Sequence, residues 1–265
     1  MCRPLPQSGR IPSAHTELMD LCFSHTPQMY GMFHLTMLGV TFIMALLTWR
    51  KSSGLSEDKL VRIIGICGLG LCVAEIWKQQ FCLFLYDGKY VFAYFPFQLC
   101  SLSMYVSVIF PFVSVRIKRI LASFQSTYLM IAGILALLYP EDMLRPQVLL
   151  TMHGFLYHTV MIILSLLSLH YMTKAGGDIR GAGILFILSA GIAYLLNVFM
   201  HHLDPAQYTY FFYISPYFEN TQPVFSLISH HIGITAGNLF YLLCIILSAS
   251  LLHTWYVHRL SVPKV

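Results

Sequence analysis

Seven apolar stretches, each meeting or approaching the length needed to cross a lipid bilayer, take up most of this chain. A hydrocarbon core of roughly 30 Å is crossed by about 20 apolar residues of α-helix. The stretches run about Met29 to Trp49, Val61 to Tyr86, Phe95 to Val115, Ile117 to Tyr139, Gln147 to Tyr171, Gly181 to Leu203 and His231 to Tyr256. Hydrophobic side chains occupy 57% of the 265 positions and charged ones 10%, too few to clothe a soluble globule. The expected fold is all-α, a polytopic membrane protein of seven transmembrane helices. Residues 1–28 are a polar extracytoplasmic segment, 29–258 the seven-helix domain and 259–265 a cytoplasmic tail. The first 25 residues lack a basic start followed by an apolar core and a small-residue cleavage site. No cleavable signal peptide is expected, and the first span serves as its own insertion signal.

The net charge of +5 is informative through its placement. If connections alternate sides, one side receives Arg50, Lys51, Lys59, Arg62, Arg116, Lys118, Arg119, Lys174, Arg180, Arg259 and Lys264, eleven basic residues. The other receives four, Arg3, Arg10, Lys89 and Arg145, with Lys78 inside a span. The positive-inside rule makes the rich side cytoplasmic, so the N-terminus is outside and the C-terminus inside. Basic loops of this origin need no nucleic-acid partner.

The seven cysteines show neither paired CxxC spacing nor histidine partners at zinc-ligand spacing, which argues against a disulfide scaffold or a zinc knuckle. Most read as small apolar fillers. Gly65, Gly68 and Gly70 read as points of close helix contact, since small residues let backbones approach in lipid.

Polar residues inside the spans carry the functional signal, because an ionisable group in hydrocarbon is costly. Glu75 and Lys78 stand three residues apart, roughly 60° around a helix, and can pair on one face. That pair reads either as a lock between helices or as part of a site. Pro96-Phe97-Gln98-Leu99-Cys100 opens the third span and puts a thiol about one turn inside it. Alone, Cys100 is a filler; with a histidine nearby it becomes a nucleophile. His153 and His158 lie in a span starting on the same side. They are five residues apart, roughly 140° around a helix, so both cannot face one thiol, and one is base and the other support. At 1.5 Å per residue from the outer ends, Cys100 lies roughly 8 Å deep, His153 and Asn197 roughly 9 Å, Lys78 roughly 12 Å, and Glu75 and His158 roughly 16 Å. Those depths permit one shared cavity.

These residues, taken in order, resemble the YwaF-like bacterial integral membrane proteins, which look related to animal transmembrane protein 164. The resemblance rests on Glu75-x-x-Lys78, Pro96-x-x-x-Cys100, His153-Gly-x-x-Tyr157-His158 and Asn197, and covers roughly Glu75 to Pro216. It implies a fold similar to the androgen-induced hydrolase proteins and, from the animal relative, a cysteine acyltransferase acting on phospholipid acyl chains. Carried over, Cys100 is the acyl-accepting nucleophile and His158 its base. Two positions depart from the pattern. Gln98 stands where bacterial relatives often have histidine, and Gln207 where asparagine is expected.

The expected function is therefore membrane acyl transfer through a cysteine thioester, with phospholipid or lysophospholipid as partner and no cofactor, in the bacterial cytoplasmic membrane. His158 takes the Cys100 proton, and Lys78, Asn197, Gln98 or Ser103 stabilises the developing oxyanion. Glu75 orients Lys78 or the histidine. Water as acceptor makes the same site a lipid hydrolase. A different class remains open, a non-enzymatic carrier or receptor whose pocket holds Glu75, Lys78, His153, His158 and Asn197. A rival cluster, His201-His202, His230-His231, Asp204 and Glu219, reads as a solvated interfacial loop or, less simply, as metal ligands, and no metal is assigned. The aromatic run Tyr208 to Tyr213 reads as an interfacial belt or a lid over a lipid cavity.

Overall fold

The computed structural model describes residues 22–260. The expectations resting on Arg3, Arg10, Lys264 and the signal-peptide region lie outside the described residues. Nine α-helices are described: α1 (Met32–Ser52), α2 (Glu57–Leu85), α3 (Leu102–Ile109), α4 (Val115–Phe124), α5 (Met130–Leu138), α6 (Val148–Ala175), α7 (Ile179–Leu203), α8 (Pro223–Ile232) and α9 (Ile234–Arg259). A π-helical turn, Gln125–Leu129, joins α4 to α5 as one span, Val115–Leu138. Six helices among the described residues are long and apolar enough to cross a membrane.

The third expected span is the departure. Helical structure covers only Leu99–Phe112, with 3₁₀ turns at both ends of α3. At 1.5 to 2.0 Å per residue this is about 21 to 24 Å, short of a full bilayer. Its start is delayed because Gln98 is extended (φ −70°, ψ 158°). Its end comes early because Pro111 has no amide to extend the ladder, and Val113 and Ser114 are extended. The seventh span also differs at its start. Gly233, at φ +88°, breaks the helix, so His230 and His231 belong to the separate α8.

Lipid offers no hydrophobic drive between helices, so association rests on close packing and hydrogen bonds. Thr41 and Thr159 hydroxyls meet at 2.7 Å, and Ser52 Oγ meets His170 Nδ1 at 2.7 Å, joining α1 to α6. The contacts are separated by the same number of residues on each helix, so α1 and α6 run parallel. His34, fully buried on α1, donates from Nε2 to Leu137 O at 2.8 Å while its Nδ1 accepts from the Tyr30 amide, also at 2.8 Å. The start of α1 thus meets the end of α5. A Cβ on Gly68 would lie 2.7 Å from the Val108 nitrogen, and one on Gly65 2.5 Å from Pro111 Cγ. These two glycines seat α2 against the short third helix, antiparallel to it. Gly70 has nothing within 4 Å and is not a contact glycine.

The connecting loops sort to two ends. The Phe92 amide donates to Gln207 Oε1 at 2.8 Å, and Tyr213 Oη to Asp142 Oδ2 at 3.2 Å, so loops 86–98, 139–147 and 204–222 gather at one end. Burial first, then the Asp142 carboxylate, pushes the neighbouring Tyr210 phenol up to about 12. The opposite end carries Arg50 and Lys51 at the close of α1, Arg116, Lys118 and Arg119 in α4, and Lys174 and Arg180 around the α6–α7 turn. Large apolar side chains such as Phe42, Ile66, Leu195 and Leu251 are exposed around the bundle, whereas Gln125, Ser126, Thr127, Ser165 and Ser168 are buried in it. This is the distribution a lipid solvent favours.

Candidate functional site

Glu75 is placed by α2, whose inner face is fixed by Gly65 and Gly68 against the third helix. Lys78 Nζ stands 2.7 Å from Glu75 Oε1, one turn further along, with side chains 17% and 7% exposed. The same carboxylate oxygen accepts from Gln79 Nε2 at 2.6 Å, and that amide also donates to Tyr94 O at 2.6 Å. The pair is thereby anchored to the loop that leads into the third helix. Gln79 carries no motif, but it stands four residues after Glu75, where a helix puts side chains in reach.

His153 and His158 come from α6. Trp77 of α2 stacks on His153 with ring centroids 6.0 Å apart. Both imidazoles lie within reach of the Lys78 charge, which joins the two histidines to the ion pair. His158 Nδ1 lies 2.8 Å from Gly154 O. A carbonyl only accepts, so Nδ1 carries the proton and a neutral ring keeps its lone pair on Nε2. That is the state a general base requires. His153 Nε2 and Tyr157 Oη are buried without a hydrogen-bond partner.

Cys100 sits in the first 3₁₀ turn of the third helix, half-buried and with a free thiol. Glu75 and Cys100 both lie within electrostatic reach of Tyr157, and Cys100 also of Tyr213 and Tyr241. Among the described residues no hydrogen bond joins Cys100 Sγ to either imidazole. Tyr157 thus feels both the Glu75 carboxylate and the Cys100 thiol, without a hydrogen bond to either. Its place between the two histidines was legible, four residues from His153 on one helix face, but nothing in the sequence gave it a role.

Gln98 and Asn197 have main-chain partners. Asn197, fully buried on α7, donates from Nδ2 to Phe211 O at 3.1 Å and accepts from Phe211 N at 2.8 Å. Gln98 Oε1 accepts from Phe212 N at 3.0 Å. Between them they hold a 3₁₀ turn, Phe211–Tyr213, in which Phe212 and Tyr213 have left-handed backbones at φ +56° and +57°. Phe211 and Phe212 are 0% and 1% exposed and pack on Phe95 and Phe97. The middle of the aromatic run is thus a plug rather than a belt, although Tyr208 and Tyr217 are exposed.

Ser103 is committed as well. Its hydroxyl lies 3.0 Å from Gln125 Nε2, and Gln125 Nε2 lies 3.2 Å from Ser165 Oγ. Gln125 begins the π-helical turn, a departure from α-helix that concentrates at functional sites. It was not singled out in the sequence, where Gln125-Ser126-Thr127, a polar run in the middle of an apolar span, was the available signal.

An apolar groove of about 300 Å³ opens between α7 and α9, lined by Ala190, Tyr194, Ile214, Asn238, Leu242 and Ile246. Asn238 Nδ2 donates to Ser215 O at 2.9 Å, and its buried Oδ1 has no partner. Ile214 and Leu242 adjoin Tyr213 and Tyr241 in the chain, the two tyrosines in reach of Cys100.

The outer histidines do not converge. His201 stacks on Tyr217 at 3.8 Å, and His230 Nδ1 lies 3.6 Å from Glu219 Oε1 on the surface. Among the described residues no three His, Cys, Asp or Glu side chains come together as a metal-binding group.

No curated protein and no solved structure matches the chain. The TMEM164 family pattern matches residues 29–260, which include all four short motifs and every candidate site residue. The chain is a multi-pass membrane protein that belongs to the TMEM164 family.

Proposed function

We propose that this protein is a seven-crossing membrane acyltransferase that moves fatty acyl chains between phospholipids through a thioester on Cys100. The observation carrying the proposal is that Tyr157, with a buried and unpartnered hydroxyl, lies within electrostatic reach of both Glu75 and the Cys100 thiol and next in sequence to a histidine poised as a base. The short third helix counts as a crossing in this reading. Parallel α1 and α6, and the contact of the α1 start with the α5 end, support it, because α1 and α6 run parallel only if the intervening chain reverses direction through Leu99–Phe112. The loop-rich end is then outside and the basic end cytoplasmic, in a bacterial cytoplasmic membrane.

His158 Nε2 takes the Cys100 proton, and the thiolate attacks the ester carbonyl of a phospholipid. Collapse of the tetrahedral intermediate breaks the carbon–oxygen bond. The leaving lysolipid oxygen takes the proton from the imidazolium, and the acyl chain remains as a thioester. A second lysolipid hydroxyl then gives its proton to His158 and attacks the thioester. The carbon–sulfur bond breaks, and the Cys100 thiolate is reprotonated by the imidazolium. His158 reaches the thiol through a side-chain or substrate-induced approach, as in other sites whose hydrogen bonds tighten only with substrate bound.

Tyr157 Oη, buried without a hydrogen-bond partner, is the donor for the oxyanion in this reading. Glu75 positions Lys78, and His153 supports the cavity wall. The groove between α7 and α9 takes the acyl chain of the lipid.

The test is mass spectrometry of the purified protein after incubation with mixed phospholipids, for wild type, Cys100→Ala and His158→Ala, with and without neutral hydroxylamine. An acyl mass on the Cys100 peptide that hydroxylamine removes, absent in Cys100→Ala and reduced in His158→Ala, is expected. Released fatty acid in place of new phospholipid would make the protein a hydrolase. Absence of acyl-enzyme, fatty acid and new phospholipid together would overturn the enzymatic reading in favour of ligand binding or transport.

A further inference from the structure

The short third helix leaves a notch at the basic end of the bundle. Pro111 stands level with Gly65, and α2 continues from Gly65 back to Glu57, about 12 Å further at 1.5 Å per residue. The third helix stops at Phe112, one residue past Pro111, so most of that length of α2 extends beyond its end. The result is a groove of about 480 Å³ between the start of α2, the end of the third helix and the first turn of α4. Along α2 its lining passes from Asp58 and Arg62 to Ile66 and Leu69, and the third helix and α4 add Phe112 and Lys118.

Among the described residues neither Arg62 nor Lys118 makes a side-chain hydrogen bond or ion pair, and neither does Asp58, although it stands four residues before Arg62. Phe112 is 85% exposed and Ile66 61% exposed, so the apolar half opens sideways to the surrounding hydrocarbon. We infer that this groove binds one anionic phospholipid of the basic-side leaflet, with its phosphodiester between Arg62 and Lys118 and an acyl chain along Ile66, Leu69 and Phe112. Two cations and one carboxylate leave the lining a single net positive charge. That balances one phosphodiester charge and leaves a phosphomonoester, with close to two charges, under-neutralised. A soluble phosphate lacks the chain that would fill the apolar half. The site lies at the opposite end from Cys100 and does not depend on the acyl-transfer reading.

The experiment is native mass spectrometry of the full-length protein in detergent, titrated with dioleoyl phosphatidylglycerol, phosphatidylcholine or phosphatidic acid, and separately with glycerol 3-phosphate. One phosphatidylglycerol is expected to bind in preference to the other two lipids. Arg62→Gln/Lys118→Gln should weaken phosphatidylglycerol by about 30-fold and leave phosphatidylcholine unchanged, since each basic residue near the headgroup layer contributes about a five-fold factor to binding. Arg62→Lys/Lys118→Arg, which keeps both charges, should retain the preference and controls for folding. Equal binding of phosphatidylglycerol and phosphatidylcholine by wild type would overturn the inference. So would an undiminished preference in the double Gln variant, or competition by glycerol 3-phosphate at concentrations comparable to the lipid.

Discussion

Gln98 Oε1 accepts a hydrogen bond from the Phe212 amide at 3.0 Å, so the residue two places before the candidate nucleophile holds the centre of the aromatic plug. Phe212 has a left-handed backbone, an unfavourable state for a bulky side chain that surrounding bonds must maintain. Gln98→Leu leaves the Phe212 amide without its partner and should cost about 1–2 kcal/mol. Limited proteolysis is the direct check. Loop 204–222 should be cut faster in Gln98→Leu than in wild type, and equal rates would mean that Asn197 alone secures the plug.

Breaking the Glu75–Lys78 pair should be costlier than its removal. Glu75→Gln or Lys78→Met alone leaves one charge largely buried, at a cost of about 3–5 kcal/mol for a fully buried pair and less here, where Lys78 retains some exposure. The double variant should be more stable than the sum of the single losses implies. Thermal or denaturant unfolding of all four proteins in one detergent gives the coupling. Additive losses would show that the two side chains do not act as a pair.

The spans were legible because lipid imposes its requirement on every stretch of about 20 residues, whatever the fold. The limits of the third span were not. Phe95 and Phe97 continue the apolar run although neither is in the third helix, because they pack against Phe211 and Phe212. Hydropathy reads solvent, and a buried loop has the same solvent as a helix. The glycines divide for a geometric reason. Gly65 and Gly68 are one turn apart and share a face, whereas Gly70 lies about 200° around the helix from Gly68 and looks away. Glu75, Lys78, His153 and His158 could be picked out because ionisable residues are rare in spans. The partners of Asn197 and Gln98 could not, since both are main-chain groups more than a dozen residues away in sequence and carry no side-chain signature.

Gln125 shows what such a site costs when removed. Its amide is 1% exposed and serves both Ser103 and Ser165, so one side chain ties three spans together at the π-helical turn. Gln125→Leu has nearly the same volume but leaves two buried hydroxyls short of a partner. A loss of about 2 kcal/mol is expected, with the midpoint of thermal unfolding as the measure. Adding Ser103→Ala and Ser165→Ala should recover part of that loss, because replacing a whole polar group by apolar atoms is less harmful than stranding half of it. No recovery would place the effect in the backbone turn itself.

Tyr157 separates a catalytic role from a structural one. Its hydroxyl is buried without a partner, so Tyr157→Phe removes no hydrogen bond from the resting protein and relieves an unsatisfied polar group. The variant should unfold at the same temperature as wild type or slightly above it. If the hydroxyl donates to the oxyanion, the rate of acyl transfer should nonetheless fall by about 100- to 1000-fold with little change in KM, since the interaction exists only once charge develops. Both quantities are measured on one preparation, acyl transfer by lipid mass spectrometry and unfolding by intrinsic fluorescence. Unchanged activity with unchanged stability would remove Tyr157 from the mechanism, and a lower unfolding temperature would make its hydroxyl a structural contact.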